Sequence, residues 1–205
     1  MRKRKAMAEM KKFTVLVLLV VLMFLGSFFA KADESENQVR IFSFADKHIS
    51  GKLYLRLQFV LGDILRSTEP LVYFGSKIKF SEQFSLAIMG GKKYVKEGSD
   101  YKFVLSPTFD SKKWFICTQI DFNISNENIW QILQLRHYIG KKQDFWVGVE
   151  SENIYGNRDD WYLSVGPCIG SRMGKLVSIN TTFFRKWIHG KSFNVIRFYL
   201  ILNLS

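Results

Sequence analysis

The sequence predicts an all-β protein: an antiparallel, up-and-down transmembrane β-barrel of about ten strands after an N-terminal signal peptide. Three observations support this fold class. Segments of about ten residues alternate between apolar and polar positions, short polar turns separate them, and aromatic residues collect at their ends. With 205 residues, 16% aromatic residues and three prolines, the chain is long enough for one closed barrel and too apolar to be disordered.

The first 32 residues have the composition of a cleaved export signal. Residues 2–12 carry six basic side chains, residues 13–29 are apolar, and Ala30-Lys31-Ala32 is an A-x-A cleavage site. The acidic residues that follow favour cleavage over an uncleaved inner-membrane anchor, although the apolar run approaches a membrane-spanning length. We therefore divide the chain into a signal peptide (1–32), a periplasmic segment or extra strand (33–51) and an outer-membrane β-barrel (52–205).

Export would remove much of the positive charge. Residues 1–32 hold seven of the 30 Lys and Arg residues and one of the 18 Asp and Glu residues, so the remaining chain has a formal net charge of +6 instead of +12. An excess of this size gives little support to nucleic-acid binding, and the sequence contains no aromatic-basic recognition motif. We expect no nucleic-acid partner.

Ten segments follow the strand pattern, each bounded by a polar turn. They are residues 52–61, 71–80, 84–94, 101–109, 114–124, 129–139, 145–155, 161–173, 176–187 and 193–204. Residues 39–44 alternate only weakly, and an eleventh strand is disfavoured because bacterial outer-membrane barrels have even strand numbers. The sequence therefore predicts ten strands, with twelve as the alternative, and a C-terminus on the periplasmic side.

The alternation predicts two unlike faces. In the first segment, leucines at positions 53, 55 and 57 alternate with Tyr54, Arg56 and Gln58. Large apolar residues recur on nearly every segment, more than one soluble core could bury, so we expect them to face lipid. A half-buried soluble sheet also alternates. A periplasmic β-sandwich held by its uncleaved N-terminal helix is therefore the alternative fold.

Eleven charged residues fall on the predicted inner face: Arg56, Lys77, Lys79, Lys93, Asp121, Arg136, Glu150, Glu152, Arg172, Lys186 and Arg197. They form either a selective polar lumen, such as a path for sugars or anions, or a network of ion pairs that plugs a narrow barrel. A ten-stranded barrel is small, which favours the plug. Seven aromatic residues at strand ends are expected to form membrane-interface girdles: Trp114, Trp130, Trp161, Trp187, Tyr94, Tyr101 and Tyr155.

Few residues suggest catalysis or metal binding. His189 and Ser192 share one predicted outer loop and are the only loose candidates for an activated nucleophile. A lone loop histidine is usually solvated, so we predict no enzyme and no catalytic residue, with an envelope lipid-modifying barrel enzyme as the alternative. No spacing of Cys, His and Asp suggests a metal site, and no cofactor is implied. Cys117 and Cys168 either form a disulfide or are two buried thiols.

Three stretches carry a resemblance to a known family: residues 90–94 (GGKKY), residues 135–140 (LRHYIG) with 144–149, and residues 165–174 with the closing hairpin. In layout, residues 40–205 are similar to the C-terminal portion of the YaiO-type outer-membrane β-barrel family. The resemblance implies an outer-membrane barrel and implies no settled activity. The chain differs from such barrels in ending on Asn203-Leu204-Ser205 instead of an aromatic residue.

We therefore expect an outer-membrane protein of a Gram-negative envelope with a structural or accessory role. Surface-polysaccharide or small-solute traffic is the runner-up role. The expected partners are outer-membrane lipids, lipopolysaccharide and the barrel-assembly machinery. Arg158, in the polar turn at 156–161, is the candidate contact for lipopolysaccharide phosphates.

Overall fold

Eleven strands make up the described part of this computed structural model, which covers residues 35–65, 69–95, 98–125, 127–140, 143–156 and 161–204. They are β1 (Ser35–Ser50), β2 (Leu53–Leu61), β3 (Pro70–Lys79), β4 (Phe84–Val95), β5 (Gly98–Asp110), β6 (Trp114–Asn123), β7 (Ile129–Ile139), β8 (Phe145–Tyr155), β9 (Tyr162–Met173), β10 (Val177–Ile188) and β11 (Lys191–Asn203). Among these residues, no helix has the length and hydrophobicity to span a membrane. The predicted signal peptide and Arg158 lie outside the described residues.

The sheet closes on itself. Each strand pairs antiparallel with the next one along the chain, from β1 to β11. The closing pair is β1 with β11, and because ten antiparallel steps separate them, these two strands run in the same direction. The predicted all-β, up-and-down barrel is confirmed, and the alternative of a β-sandwich is wrong.

The strand number is eleven, one more than the ten predicted. The additional strand is β1. It contains the weakly alternating residues 39–44, where the expectation of an even strand number argues against a strand. A closed barrel needs an even number of strands only if every pair of neighbouring strands is antiparallel. The parallel pair of β1 and β11, the seam of the barrel, allows an odd number. The other ten strands begin and end within three residues of their predicted bounds.

The two faces of the barrel wall differ sharply in side-chain chemistry. Five large apolar side chains on the outer face are 38–57% exposed: Phe74, Ile88, Leu133, Val149 and Phe183. Seven polar or charged side chains on the inner face are at most 7% exposed: Gln58, Asp121, Arg136, Glu150, Glu152, Asn180 and Arg197. A water-soluble protein buries its apolar side chains and exposes its charges. This barrel instead exposes large apolar side chains on its outer face and encloses charged side chains, together with an apolar cluster that includes Phe42, Val104 and Ile132.

Two inward-facing glycines make room for aromatic rings inside the barrel. Tyr73 of β3 lies opposite Gly91 of β4, and Trp146 of β8 lies opposite Gly170 of β9. A Cβ at Gly91 would come within 2.1 Å of Cδ1 of Tyr73, and one at Gly170 within 2.3 Å of the Trp146 ring. Each ring therefore lies across the neighbouring strand, where only glycine leaves space for it.

We expect Gly91→Ala to lower the free energy of unfolding by about 1–3 kcal/mol, because the added methyl group displaces the buried Tyr73 ring. Gly90→Ala is the matched control. Its methyl group would meet no atom within 4 Å, and we expect a change within about 0.5 kcal/mol. Urea unfolding followed by tryptophan fluorescence measures both variants, and equal losses would contradict the packing role of Gly91.

Candidate functional site: the barrel interior

Glu152 of β8 is the centre of the buried polar network. Its side chain is fully enclosed and accepts hydrogen bonds from Trp130 Nε1 at 2.7 Å and from the Tyr162 hydroxyl at 2.7 Å. Arg40 Nη2 donates to the same carboxylate at 3.1 Å, and Arg197 Nη1 forms an ion pair with its other oxygen. The network therefore binds β1, β7, β9 and β11 to a carboxylate on β8.

Glu150 lies two residues earlier on the same face of β8 and is also fully enclosed. It accepts hydrogen bonds from Gln134 Nε2 at 2.9 Å, from Asn180 Nδ2 at 3.3 Å and from the Tyr199 hydroxyl. The Tyr199 hydroxyl in turn accepts one from Arg197 Nη1 at 3.0 Å. Arg197 and Tyr199 thus connect the two carboxylates, and the charges of Glu150, Glu152 and Arg197 each have the partners that burial requires.

A second chain of hydrogen bonds crosses the lumen. The Tyr73 hydroxyl donates to Asp121 at 2.5 Å, Gln119 Nε2 donates to Asp121 at 2.9 Å, and Gln58 Nε2 donates to Gln119 at 3.1 Å. These residues lie on β2, β3 and β6, and β6 is not a sheet neighbour of the other two. These hydrogen bonds therefore connect β2 and β3 to β6 across the lumen.

A third cluster joins one carboxylate to two cations. Arg56 donates to both oxygens of Asp46 at 2.7 Å, and Lys77 Nζ donates to Asp46 Oδ2 at 2.8 Å. The side chains of all three are less than one-fifth exposed. The cluster has a net charge of +1 and lies at the end of the barrel that contains the β3–β4 turn.

Two cavities lie at the two ends of the barrel interior. One has a volume of about 420 Å³ and is lined by Asp63, Glu69, Lys93 and Lys102, among others. The other has a volume of about 500 Å³ and is lined by residues from the β3–β4 turn, together with Arg136 and Arg172. The two share no lining residue. Between them lie enclosed side chains, Val104, Asp121, Asn180 and Thr182, each 0% exposed, so the described side chains fill the middle of the lumen.

The eleven predicted lumen charges all face the interior or its end cavities. Asp121, Arg136, Glu150, Glu152 and Arg197 are buried in the middle. The others lie nearer the ends: Arg56 and Lys77 at Asp46, Lys93 at Glu69 (2.5 Å), Lys186 at Glu36 (3.4 Å), Lys79 over the Tyr54 ring (4.6 Å) and Arg172 in the larger cavity.

Several residues of the network are not among the predicted lumen charges. Arg40 and Asp46 lie on β1, which is predicted only as a periplasmic segment or extra strand, so their faces could not be assigned. Tyr73, Tyr199 and Trp146 are uncharged and so do not belong to the predicted lumen charges, although their hydroxyl and indole groups bond to buried acceptors. The available signal is their spacing: each is an even number of residues from a predicted inner charge on its own strand.

The prediction that Trp130 belongs to the aromatic girdles is wrong. It shares the inner face of β7 with Arg136, and its indole N–H bonds to Glu152. A position near a strand end does not determine which face a side chain takes, whereas the period of two does. The other six predicted girdle residues are 37–56% exposed: Trp114, Trp161, Trp187, Tyr94, Tyr101 and Tyr155.

The candidate nucleophile pair and the two cysteines have other contacts. Ser192 Oγ accepts a hydrogen bond from the Arg185 guanidinium, and the His189 ring lies 6.5 Å from the Trp161 ring, edge to face. Cys117 and Cys168 are free thiols, so the structure has no disulfide between them. Within the described segments, no group of three or more His, Cys, Asp or Glu residues is placed to hold a metal ion.

No protein-family model matches the chain, and no curated protein matches it significantly. The resemblance to the YaiO-type family therefore stays a prediction that rests on the three stretches quoted above.

Proposed function

We propose that this chain is an integral outer-membrane β-barrel whose filled lumen makes it a structural or accessory component of the envelope. The observation that carries the proposal is the reversed polarity of the wall. Phe74 and Phe183 are 57% and 49% exposed on the outer face, while Glu150 and Glu152 are 0% exposed inside. Lipid is the solvent that stabilises such an outer face, and transmembrane barrels have this alternation.

The closed sheet supports the same proposal. Hydrocarbon offers no hydrogen-bond partner to backbone groups, so an open sheet edge is excluded from lipid. Here the wall has no free edge, because β1 pairs with both β2 and β11. The export signal predicted at residues 1–32 would supply the route to an outer membrane. Outer-membrane lipids, lipopolysaccharide and the barrel-assembly machinery are the partners we propose.

The filled lumen favours a scaffold over a channel. Conduction requires a continuous polar path with binding weak enough for the solute to leave. Across the middle of this barrel, Glu152 and Arg197 instead form a buried ion pair and Tyr73 bonds to Asp121. Opening a path would break these bonds and leave buried charges unpaired. The contact of Ser192 with Arg185 gives no support to the lipid-modifying alternative.

Gel mobility of outer-membrane fractions tests the proposal. We expect the protein in those fractions, and we expect the unboiled sample to migrate differently from the boiled one, because a folded barrel resists the detergent at room temperature. Identical migration, or a purified protein that stays monomeric without detergent, would overturn the proposal. In planar bilayers we expect no stable conductance, and steady single-channel steps would favour small-solute traffic over the scaffold role.

A further inference from the structure

Arg136 of β7 is a buried cation without an ionic partner among the described residues. It is 7% exposed, and its Nε and Nη2 atoms have no hydrogen-bond partner. The other buried arginine of the interior, Arg197, forms bonds with Glu152, Gln38 and Tyr199. Buried charges are costly unless they are paired, so the two free N–H sites of Arg136 require an explanation.

Two aromatic rings hold the Arg136 guanidinium in place. Its Cζ lies 5.2 Å from the ring centroid of Phe115 and 5.2 Å from that of Trp146. Stacking on aromatic faces stabilises the charge but satisfies none of its N–H groups, which point outward in the plane of the guanidinium. The N–H groups of Nε and Nη2 are therefore left to bond with an acceptor that enters beside them.

The cavity next to Arg136 has an excess of positive charge. Five cationic side chains line its 500 Å³, namely Arg56, Lys77, Lys79, Arg136 and Arg172, against three anionic ones, Asp46, Glu82 and Asp110. Asp46 is already occupied by two of the cations, and Asp110 accepts a hydrogen bond from Tyr138 at 3.3 Å. The smaller cavity at the other end has three cationic and four anionic lining residues. The positive excess is therefore a property of one end of the barrel.

We propose that the larger cavity binds a tetrahedral oxyanion, a phosphate or sulfate group, through the Arg136 guanidinium, with Arg172 as the second cation. Such a group offers several acceptor oxygens, and an arginine donates to them in pairs along its planar edge. The volume also admits a larger molecule that carries the group. The site goes beyond the scaffold role and does not depend on the membrane in which the barrel lies.

Titration of the purified, folded protein in detergent with inorganic phosphate tests the site, with sodium chloride at equal ionic strength as the reference. Trp146 lies against Arg136, so tryptophan fluorescence reports on binding, and calorimetry gives the affinity. We expect phosphate to bind and Arg136→Gln to weaken binding about tenfold or more, since it removes charge-assisted hydrogen bonds. We expect Arg172→Gln to weaken it severalfold. Lys113→Gln, in the exposed β5–β6 turn, should bind like the wild type.

Arg136→Lys covers the case in which Arg136→Gln does not fold. It keeps the charge but loses the planar pair of donors, so we expect weaker phosphate binding with an unchanged gel mobility. Glucose 6-phosphate, compared with phosphate and glucose, distinguishes the sources of the anion: tighter binding than phosphate indicates a group carried on a larger molecule. A phosphate response no larger than that of chloride, or one equal in the wild type and in every folded Arg136 and Arg172 variant, would overturn the proposal.

Discussion

Glu152→Gln is expected to lower the free energy of unfolding by about 3–5 kcal/mol, the cost of removing one partner of a buried ion pair. The carboxylate accepts from four donors, and Arg197, one of them, is only 1% exposed. A glutamine keeps the shape of the side chain but removes the charge and places an NH₂ group against those donors. Urea unfolding in liposomes, followed by the unboiled gel band, measures the loss.

Glu82→Gln in the exposed β3–β4 turn is the matched control for Glu152→Gln, and we expect a change within about 0.5 kcal/mol. Arg197→Met combined with Glu152→Gln completes a double-mutant cycle. Because the two residues form an ion pair with each other, the double variant should lose less free energy of unfolding than the sum of the losses in the two single variants. If the Glu152→Gln variant is as stable as the wild type, the network does not hold the barrel closed.

Leu133→Arg is expected to destabilise the barrel by about 2–4 kcal/mol, the cost of an arginine facing lipid near the middle of the bilayer. Leu133 lies near the middle of β7 on the outer face and is 42% exposed. Ile139 ends the same strand on the same face and is 49% exposed. For Ile139→Arg, nearer the membrane surface, we expect a cost of about 0–1 kcal/mol.

The difference between these two arginine variants depends on the solvent around the barrel. In water, both substitutions would put a charge on an already exposed surface, and both would change stability by less than about 0.5 kcal/mol. Unfolding in liposomes measures each variant against the wild type. Equal, small effects at Leu133 and Ile139 would contradict the membrane proposal while leaving the barrel fold intact.

Ten strands were predictable because their two faces contrast strongly. On β11, Ile196 and Phe198 alternate with Arg197 and Tyr199, and the same contrast recurs on the other predicted strands. β1 lacks it: Phe42 faces inward and the neighbouring Ile41 outward, so both faces carry large apolar residues. Its existence depends on the closure of the sheet, which local sequence does not specify.

The inward direction of the charges follows from the period of two, but their partners do not. Gln58 and Gln119 bond across the lumen from strands that are not neighbours in the sheet. Such a contact depends on how far successive strands are staggered around the barrel, which the turns and pairings set jointly. The sequence therefore indicates which residues line the lumen, and only the structure shows that two nitrogen atoms of Arg136 have no hydrogen-bond partner among the described residues.

The seam between β1 and β11 has a consequence for the order of folding. Every other pair of neighbouring strands is consecutive in the chain, with two to eight residues between the two strands. This pair joins the first and last strands, as in the bond from Leu204 N to Phe44 O at 2.8 Å. Contacts between distant segments carry the largest loop-closure entropy and form slowly. Parallel pairing is also slightly weaker per residue than antiparallel pairing. The hairpins can therefore assemble one after another, and we expect the seam to be the last pair of strands to form and the first to separate.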